Sequence, residues 1–189
     1  MIVGGTPANV EPVPSPIGHA LGGALFGGLF AQPRPAAAGR TAAAPWWRDA
    51  AVLGVVGLLP DLDFLVGLHS RYSHGLGAAV AAGVVAWLLT RRRPRWALAV
   101  AAAYASHILL DWLGSDTTPP IGVMALWPLS DAFYQSDLRL FMAISRRHWL
   151  AGFWAHNLTA VAWELLLLGP PAALVWWWRR RSTPPVSGP

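Results

Sequence analysis

The sequence predicts an all-α fold: a polytopic membrane helix bundle of about five spans, with a polar His/Asp site at one face. Three observations lead there. Of the 189 residues 54% are apolar and only 12% are charged, about half the charged share of a soluble domain, and the mean hydropathy is +0.41. The apolar residues fall into five runs, at about 17–31, 50–68, 75–90, 96–113 and 149–168, the last extending toward Trp178. All fourteen basic residues are Arg, set in short blocks beside those runs. Such blocks read as membrane topology rather than as a nucleic-acid surface, so no nucleic-acid partner is expected.

The length suits one domain. Residues 17–178 are read as that membrane-embedded domain. Residues 1–16 form a Pro-rich N-terminus and 179–189 a basic C-terminal tail, both expected to be disordered. There is no cysteine, which excludes disulfides and thiolate metal sites.

Several runs are shorter than the ~20 residues of an ordinary span, but short helices rich in small residues can still span when packed in a bundle. The first carries Gly18-x-x-x-Gly22 and Gly23-x-x-x-Gly27, spacings that let helices approach closely. Pro60 makes a break plausible in the second run. Ser73 is a reasonable N-cap for the third. Gly169-Pro170-Pro171 is expected to end or kink the last helix, and the segment from Ala172 to Trp178 is too short to span again.

The arginines test this layout. With five spans, ten of them (Arg34, Arg40, Arg48, Arg91, Arg92, Arg93, Arg95 and Arg179 to Arg181) share one side, against Arg71, Arg139, Arg146 and Arg147 on the other. The positive-inside rule then puts the N-terminus outside and the C-terminus in the cytoplasm. Trp46, Trp47, Trp96, Trp112, Trp149 and Trp176 to Trp178 fall at span boundaries, an aromatic-belt pattern.

Ionisable groups at membrane depth are costly and by default suggest function. Four clusters stand out: His19; Pro60-Asp61-Leu62-Asp63; His69-Ser70-Arg71-Tyr72-Ser73-His74; and His107-x-x-x-Asp111. His107 and Asp111 share a helical face. They either bind one metal or form a buried hydrogen bond that locks two helices. Two Asp residues two apart exceed what a single helix cap needs. In the five-span layout all four clusters meet at one level on the outer side. Carboxylates gathered there without a cation would raise one another's pKa, and the sequence has no Lys to pair with them. A divalent ion resolves this, and mixed imidazole and carboxylate ligands suit Zn²⁺, Mn²⁺ or Fe. The connection 114–148 reads either as a lid or substrate wall or as an interfacial segment with no direct role. His156 and Glu164 are further intramembrane polar groups on roughly one face, and His148 is expected at the interface.

Taken in order, these motifs resemble the YdjM-like family of bacterial inner-membrane proteins, described as LexA-regulated, membrane-bound, metal-dependent hydrolases. The resemblance covers about residues 17–130 and runs through Gly18-His19, Leu59-Pro60-Asp61-Leu62-Asp63, His69-x-x-x-Ser73-His74, Ser106-His107-x-x-x-Asp111 and Gly122-x-x-x-Leu126-Trp127-Pro128. The family's loop reads His-Arg-Gly-x-Thr-His-Ser. Here both His are kept and the Arg is moved one place, to Arg71. The resemblance implies an inner-membrane location and a metal site at His19, Asp61, Asp63, His69, His74, His107 and Asp111. The His-x-x-x-Asp helix is also remotely similar to the zinc-dependent phospholipase C and P1-type nucleases, which suggests phosphoester hydrolysis.

The function expected on this basis is metal-dependent hydrolysis of a phosphoester, of a lipid or a small molecule. Water activated by the metal attacks, Asp63 is the candidate general base, and Arg71 steadies a phosphoryl oxygen. The alternatives are an ion-coupled transporter, to which His156 and Glu164 lend support, and a metal-binding or structural membrane protein without hydrolase activity.

Overall fold

The computed structural model describes residues 14–32, 45–66, 70–116 and 119–181. The Pro-rich residues 1–13, His69, Arg34, Arg40 and residues 182–189 lie outside them. The chain is all-helical, with α1 (Pro16–Phe30), α2 (Trp46–Leu58), α3 (Leu76–Leu89), α4 (Pro94–Trp112) and α5 (Phe153–Arg181). Short 3₁₀ helices occupy Leu59–Val66 and Tyr72–His74. Among the described residues there is no strand, only the isolated bridges Gly114–Phe141 and Val123–Tyr134.

Local chemistry sets the boundaries. Ser15 caps α1 by accepting from the Gly18 N–H at 3.1 Å, and Pro16 takes the first helical position, where its missing N–H costs nothing. Pro60 has no N–H with which to continue α2. The Leu59 N–H bonds instead to the Val56 carbonyl, the tighter 3₁₀ pattern, and the chain winds on that way to Val66. Pro94 opens α4 as Pro16 opens α1.

The last helix departs from expectation. Gly169-Pro170-Pro171 does not end it: α5 runs unbroken for 29 residues, and Arg179 to Arg181 are its final turn rather than part of a tail. The prolines remove N–H groups that would bond to the carbonyls of Leu166 and Leu167. Packing on both sides outweighs that loss. Ala160 and Glu164 are buried before the prolines, and Ala172 and Trp176 after them. The Trp176 indole also donates to the Ala24 carbonyl of α1 at 3.1 Å.

Helix α1 sits in the middle, packed against α2, α4 and α5, while α3 lies against α4. Its glycines are what let three neighbours approach. A Cβ on Gly23 would stand 2.4 Å from the Leu53 carbonyl of α2, one on Gly22 would meet Leu110 of α4, and one on Gly18 would meet Glu164 of α5. The contacts also give the helix directions. Gly57 lies beside the His19 carbonyl and Gly54 beside Ala20, so α2 runs against α1, as does α4, with Ala99 beside Gly27 and Leu110 beside Gly22. Helix α5 runs with α1, from Glu164 beside Gly18 to Trp176 beside Gly28. Successive helices therefore alternate in direction. Arg48, Arg91 to Arg95 and Arg179 to Arg181 gather at one end, and His19, the 3₁₀ helices and Asp111 at the other.

By length and composition α5 can cross a membrane; α1 and α3 are shorter apolar helices. The outside of the bundle is apolar as well: Leu65, Leu89 and Leu129 are 83%, 79% and 90% exposed, unlike the surface of a soluble monomer.

Gly57 is a sharp test of this packing, because its Cβ would lie 2.5 Å from the His19 carbonyl oxygen. Overpacking against backbone costs about 1–3 kcal/mol or more. Gly57→Val is therefore expected to lower the thermal unfolding midpoint of the detergent-solubilised protein by several degrees, while a substitution of exposed Leu89 leaves it unchanged.

Candidate metal centre

The polar residues arrive from four elements. His19 lies in the second turn of α1, and Asp61 follows Pro60 in the first 3₁₀ helix. His74 ends the second 3₁₀ helix, and His107 and Asp111 stand one turn apart near the end of α4. His19, His74, His107 and Asp111 are completely or almost completely buried. Asp61 is the open member, with 22% of its side chain exposed.

Their donor atoms converge. His107 Nε2 stands 3.1 Å from Asp111 Oδ2, 3.5 Å from Asp61 Oδ1 and 3.1 Å from His74 Nε2. His74 Nε2 lies 3.3 Å from Asp111 Oδ2 and 4.0 Å from Asp61 Oδ1. His19 Nε2 approaches the other Asp111 oxygen, Oδ1, at 3.3 Å, and its ring stacks on that of His107 with centroids 3.7 Å apart. Two overlapping sets, His19/His107/Asp111 and Asp61/His74/His107, each bring their ligand atoms within 4.8 Å of one another.

The second ring nitrogens determine how the imidazoles present themselves. His107 Nδ1 lies 2.8 Å from the Gly57 carbonyl. A carbonyl only accepts, so Nδ1 carries the hydrogen and the Nε2 lone pair faces the cluster. His74 Nδ1 lies 3.1 Å from Asp63 Oδ2 and 3.1 Å from Ser73 Oγ, while Ser73 Oγ itself donates to that Asp63 oxygen at 2.6 Å. Asp63 thus stands behind the His74 ring, with Nε2 on the cluster side. The turn is braced by the Tyr104 hydroxyl, which donates to the Ser73 carbonyl, and by the α4–α5 connection. There Met124 N–H bonds to Ser70 O, Leu76 N–H to Ala125 O and Gly77 N–H to Trp127 O.

This arrangement passes a test for a metal. His19 Nδ1 and Nε2, Asp61 Oδ1 and both Asp111 oxygens are buried with no hydrogen-bond partner. The Asp111 oxygens stand 3.1 to 3.3 Å from nitrogens of His19, His74 and His107, close enough for charge attraction but without a hydrogen bond of good geometry. Leaving several such groups unpaired costs ~1–3 kcal/mol each or more. Donors bound tetrahedrally at ~2.1 Å stand about 3.4 Å apart, which matches the spacing here. A buried His/Asp group of this kind can hold a divalent ion.

A model of the YdjM inner membrane protein family matches residues 15–182. This chain belongs to that family. The match takes in all five helices and every described polar residue of the cluster, extending well beyond the stretch to which the sequence motifs alone point. No curated protein and no solved structure matches the chain.

Other sequence-derived positions of this YdjM-family chain fall differently. Asp63 and Arg71 are outside the convergent set, Asp63 behind His74 and Arg71 exposed at the head of its turn. His148 is exposed and packs edge-on against Trp149. His156 Nε2 meets the Ala143 carbonyl at 2.7 Å, and Glu164 meets Ser15. Both thus have local partners away from the cluster. The Arg146 guanidinium lies 4.0 Å over the Phe64 ring of the 3₁₀ helix, a contact that nothing in its run of basic residues indicates.

Burial works against a charge on His74, but Asp111 and Asp63 outweigh it and push the ring up to about 9. A metal bound through Nε2 must displace a proton at neutral pH, so Zn²⁺ affinity is expected to rise about tenfold per pH unit until His74 loses its proton near pH 9. Competition titration against a chromophoric chelator at several pH values checks the slope. Because Asp63 orients His74, Asp63→Asn is expected to weaken Zn²⁺ binding about 10- to 100-fold in the same titration.

Proposed function

We propose that this YdjM-family chain is a multi-pass inner-membrane, metal-dependent hydrolase of phosphoesters, with a lipid as the favoured substrate. The observation that carries the reading is the set of buried, unpartnered donor atoms on His19, Asp61 and Asp111, gathered with His74 Nε2 and His107 Nε2. In this reading those five residues hold the ion, and Asp63 orients His74. His69, five residues before His74 in the sequence, is a further candidate ligand. The arginine asymmetry supports an orientation with the cluster outside and the C-terminus cytoplasmic.

A divalent ion held there supplies Lewis acidity, making water a nucleophile near neutral pH and polarising a phosphoryl oxygen. The chain's own residues do the rest. Three imidazoles present neutral nitrogens, and the carboxylates of Asp61 and Asp111 offset the ion's charge. Asp61 is the partly exposed member of the set, and the carboxylate oxygen it does not give to the ion would take the proton of the attacking water. Arg71, exposed at the head of the turn that carries His74, is the cation offered to a phosphoryl oxygen.

The preference for a lipid rests on the 3₁₀ helix that carries Asp61. Its three-residue period puts Leu59, Leu62 and Leu65 on one side, and all three are exposed. The open ligand is therefore flanked by an apolar stripe suited to acyl chains.

Two assays test the proposal. Protein purified without chelators is expected to carry near-stoichiometric metal by inductively coupled plasma mass spectrometry, lost in a folded His107→Ala/Asp111→Ala variant. The metal-loaded protein is expected to release phosphate or headgroup from phospholipid vesicles, with activity falling to background in His107→Ala. Leu62→Asn/Leu65→Asn is expected to slow turnover of vesicle phospholipid more than that of a soluble aryl phosphodiester. Metal-loaded protein that hydrolyses neither would sink the hydrolase reading.

A further inference from the structure

Glu164 is a fully buried carboxylate on α5, outside the metal cluster. It reaches the start of α1, where its Oε1 accepts from the Ser15 N–H at 2.6 Å and its Oε2 from the Ser15 hydroxyl. Ser15 Oγ in turn accepts from the Gly18 N–H at 3.1 Å.

In a capping box, a Ser or Thr N-cap accepts from the N–H of the third helical residue, and a Glu or Gln at that third position reaches back to the N–H of the cap. Here Ser15 is the cap and the third position is Gly18, which has no side chain. Glu164 supplies the missing carboxylate from another helix. Gly18 makes room for it: a Cβ there would lie 2.7 Å from Glu164 Cδ and 2.7 Å from Oε2, and the three nearest atoms to it all belong to Glu164.

The capped turn is the one that delivers His19. The His19 N–H bonds to the Ser15 carbonyl at 3.0 Å, and His19 directly follows Gly18. His19 has no hydrogen bond to orient its ring. Its placement depends on the α1 backbone, on stacking against His107 and on the approach of Nε2 to Asp111 Oδ1 at 3.3 Å. We infer that Glu164 is a positioning residue for the metal centre, completing the α1 capping box from α5 and thereby setting the place of His19. The inference rests on the reading of His19 as a ligand.

The test compares Zn²⁺ affinity and the Co²⁺ visible absorption spectrum of the full chain in detergent, for Glu164→Ala, His19→Ala and the double variant. Glu164→Ala and His19→Ala are each expected to weaken Zn²⁺ binding about 10- to 100-fold, the range for lost ligand support. The double variant is expected to be no weaker than His19→Ala, because both act through one group. The Co²⁺ spectrum of Glu164→Ala should shift toward that of His19→Ala. Gly18→Glu/Glu164→Ala moves the carboxylate to the third position of α1 itself, and is expected to recover most of the affinity; it also serves if Glu164→Ala alone does not fold. Loss in His19→Ala with wild-type binding in Glu164→Ala overturns the inference, as do additive losses in the double variant. Unchanged binding in His19→Ala removes His19 from the ligand set, a separate failure of the functional reading.

Discussion

Gly57 is where the packing and the chemistry of this protein meet. It lies against Gly23 across the α1–α2 contact, and a side chain on it would strike the His19 carbonyl. Its own carbonyl accepts from His107 Nδ1. One backbone position thus sets the separation of two helices, the height of His19 and the tautomer of His107. The close approach is possible only because both residues are glycine, since helices bearing larger side chains pack about 8–10 Å apart. Pro60 comes soon after, turning the chain into the 3₁₀ winding that brings Asp61 to the cluster and Asp63 behind His74.

The cluster itself is an electrostatic problem with a geometric answer. Asp61 and Asp111 are held close to three imidazoles in a largely closed interior, and no Lys exists to neutralise them. Pairing by protons alone leaves several buried acceptors without donors. The supporting contacts are better satisfied: Gly57 O behind His107, and Asp63 and Ser73 behind His74. Satisfied backs and unsatisfied fronts suit a cluster that can hold an ion.

The long connection between α4 and α5 has a part in this. It contains little regular structure, yet its backbone pairs with Ser70, Leu76 and Gly77 and so braces the turn that carries His74. Its other ties reach α5, through His156 to Ala143 and Asn157 to Ser145. These contacts make it a buttress for one side of the site.

Much of this was legible in the sequence. The five helices follow from apolar runs and their Pro, Gly and Arg boundaries, and small residues four apart announced the close packing of α1. His107 and Asp111 follow from one-turn spacing, and Pro60 marks where α2 gives way to the 3₁₀ helix that carries Asp61 and Asp63. Periodicity is local, so it could not say which face of α1 meets which neighbour, or that Asp63 would lie behind His74 rather than beside the other donors. It also could not say that the helix would continue through Gly169-Pro170-Pro171 rather than end there, because a proline's cost is intrinsic to the helix, whereas the packing of Ala172 and Trp176 that outweighs it is not. The partnership of Glu164 with Ser15 and Gly18 lay furthest from view. Residues far apart in the chain share one capping motif only once α5 runs alongside α1, and that parallel course is a property of the folded bundle alone.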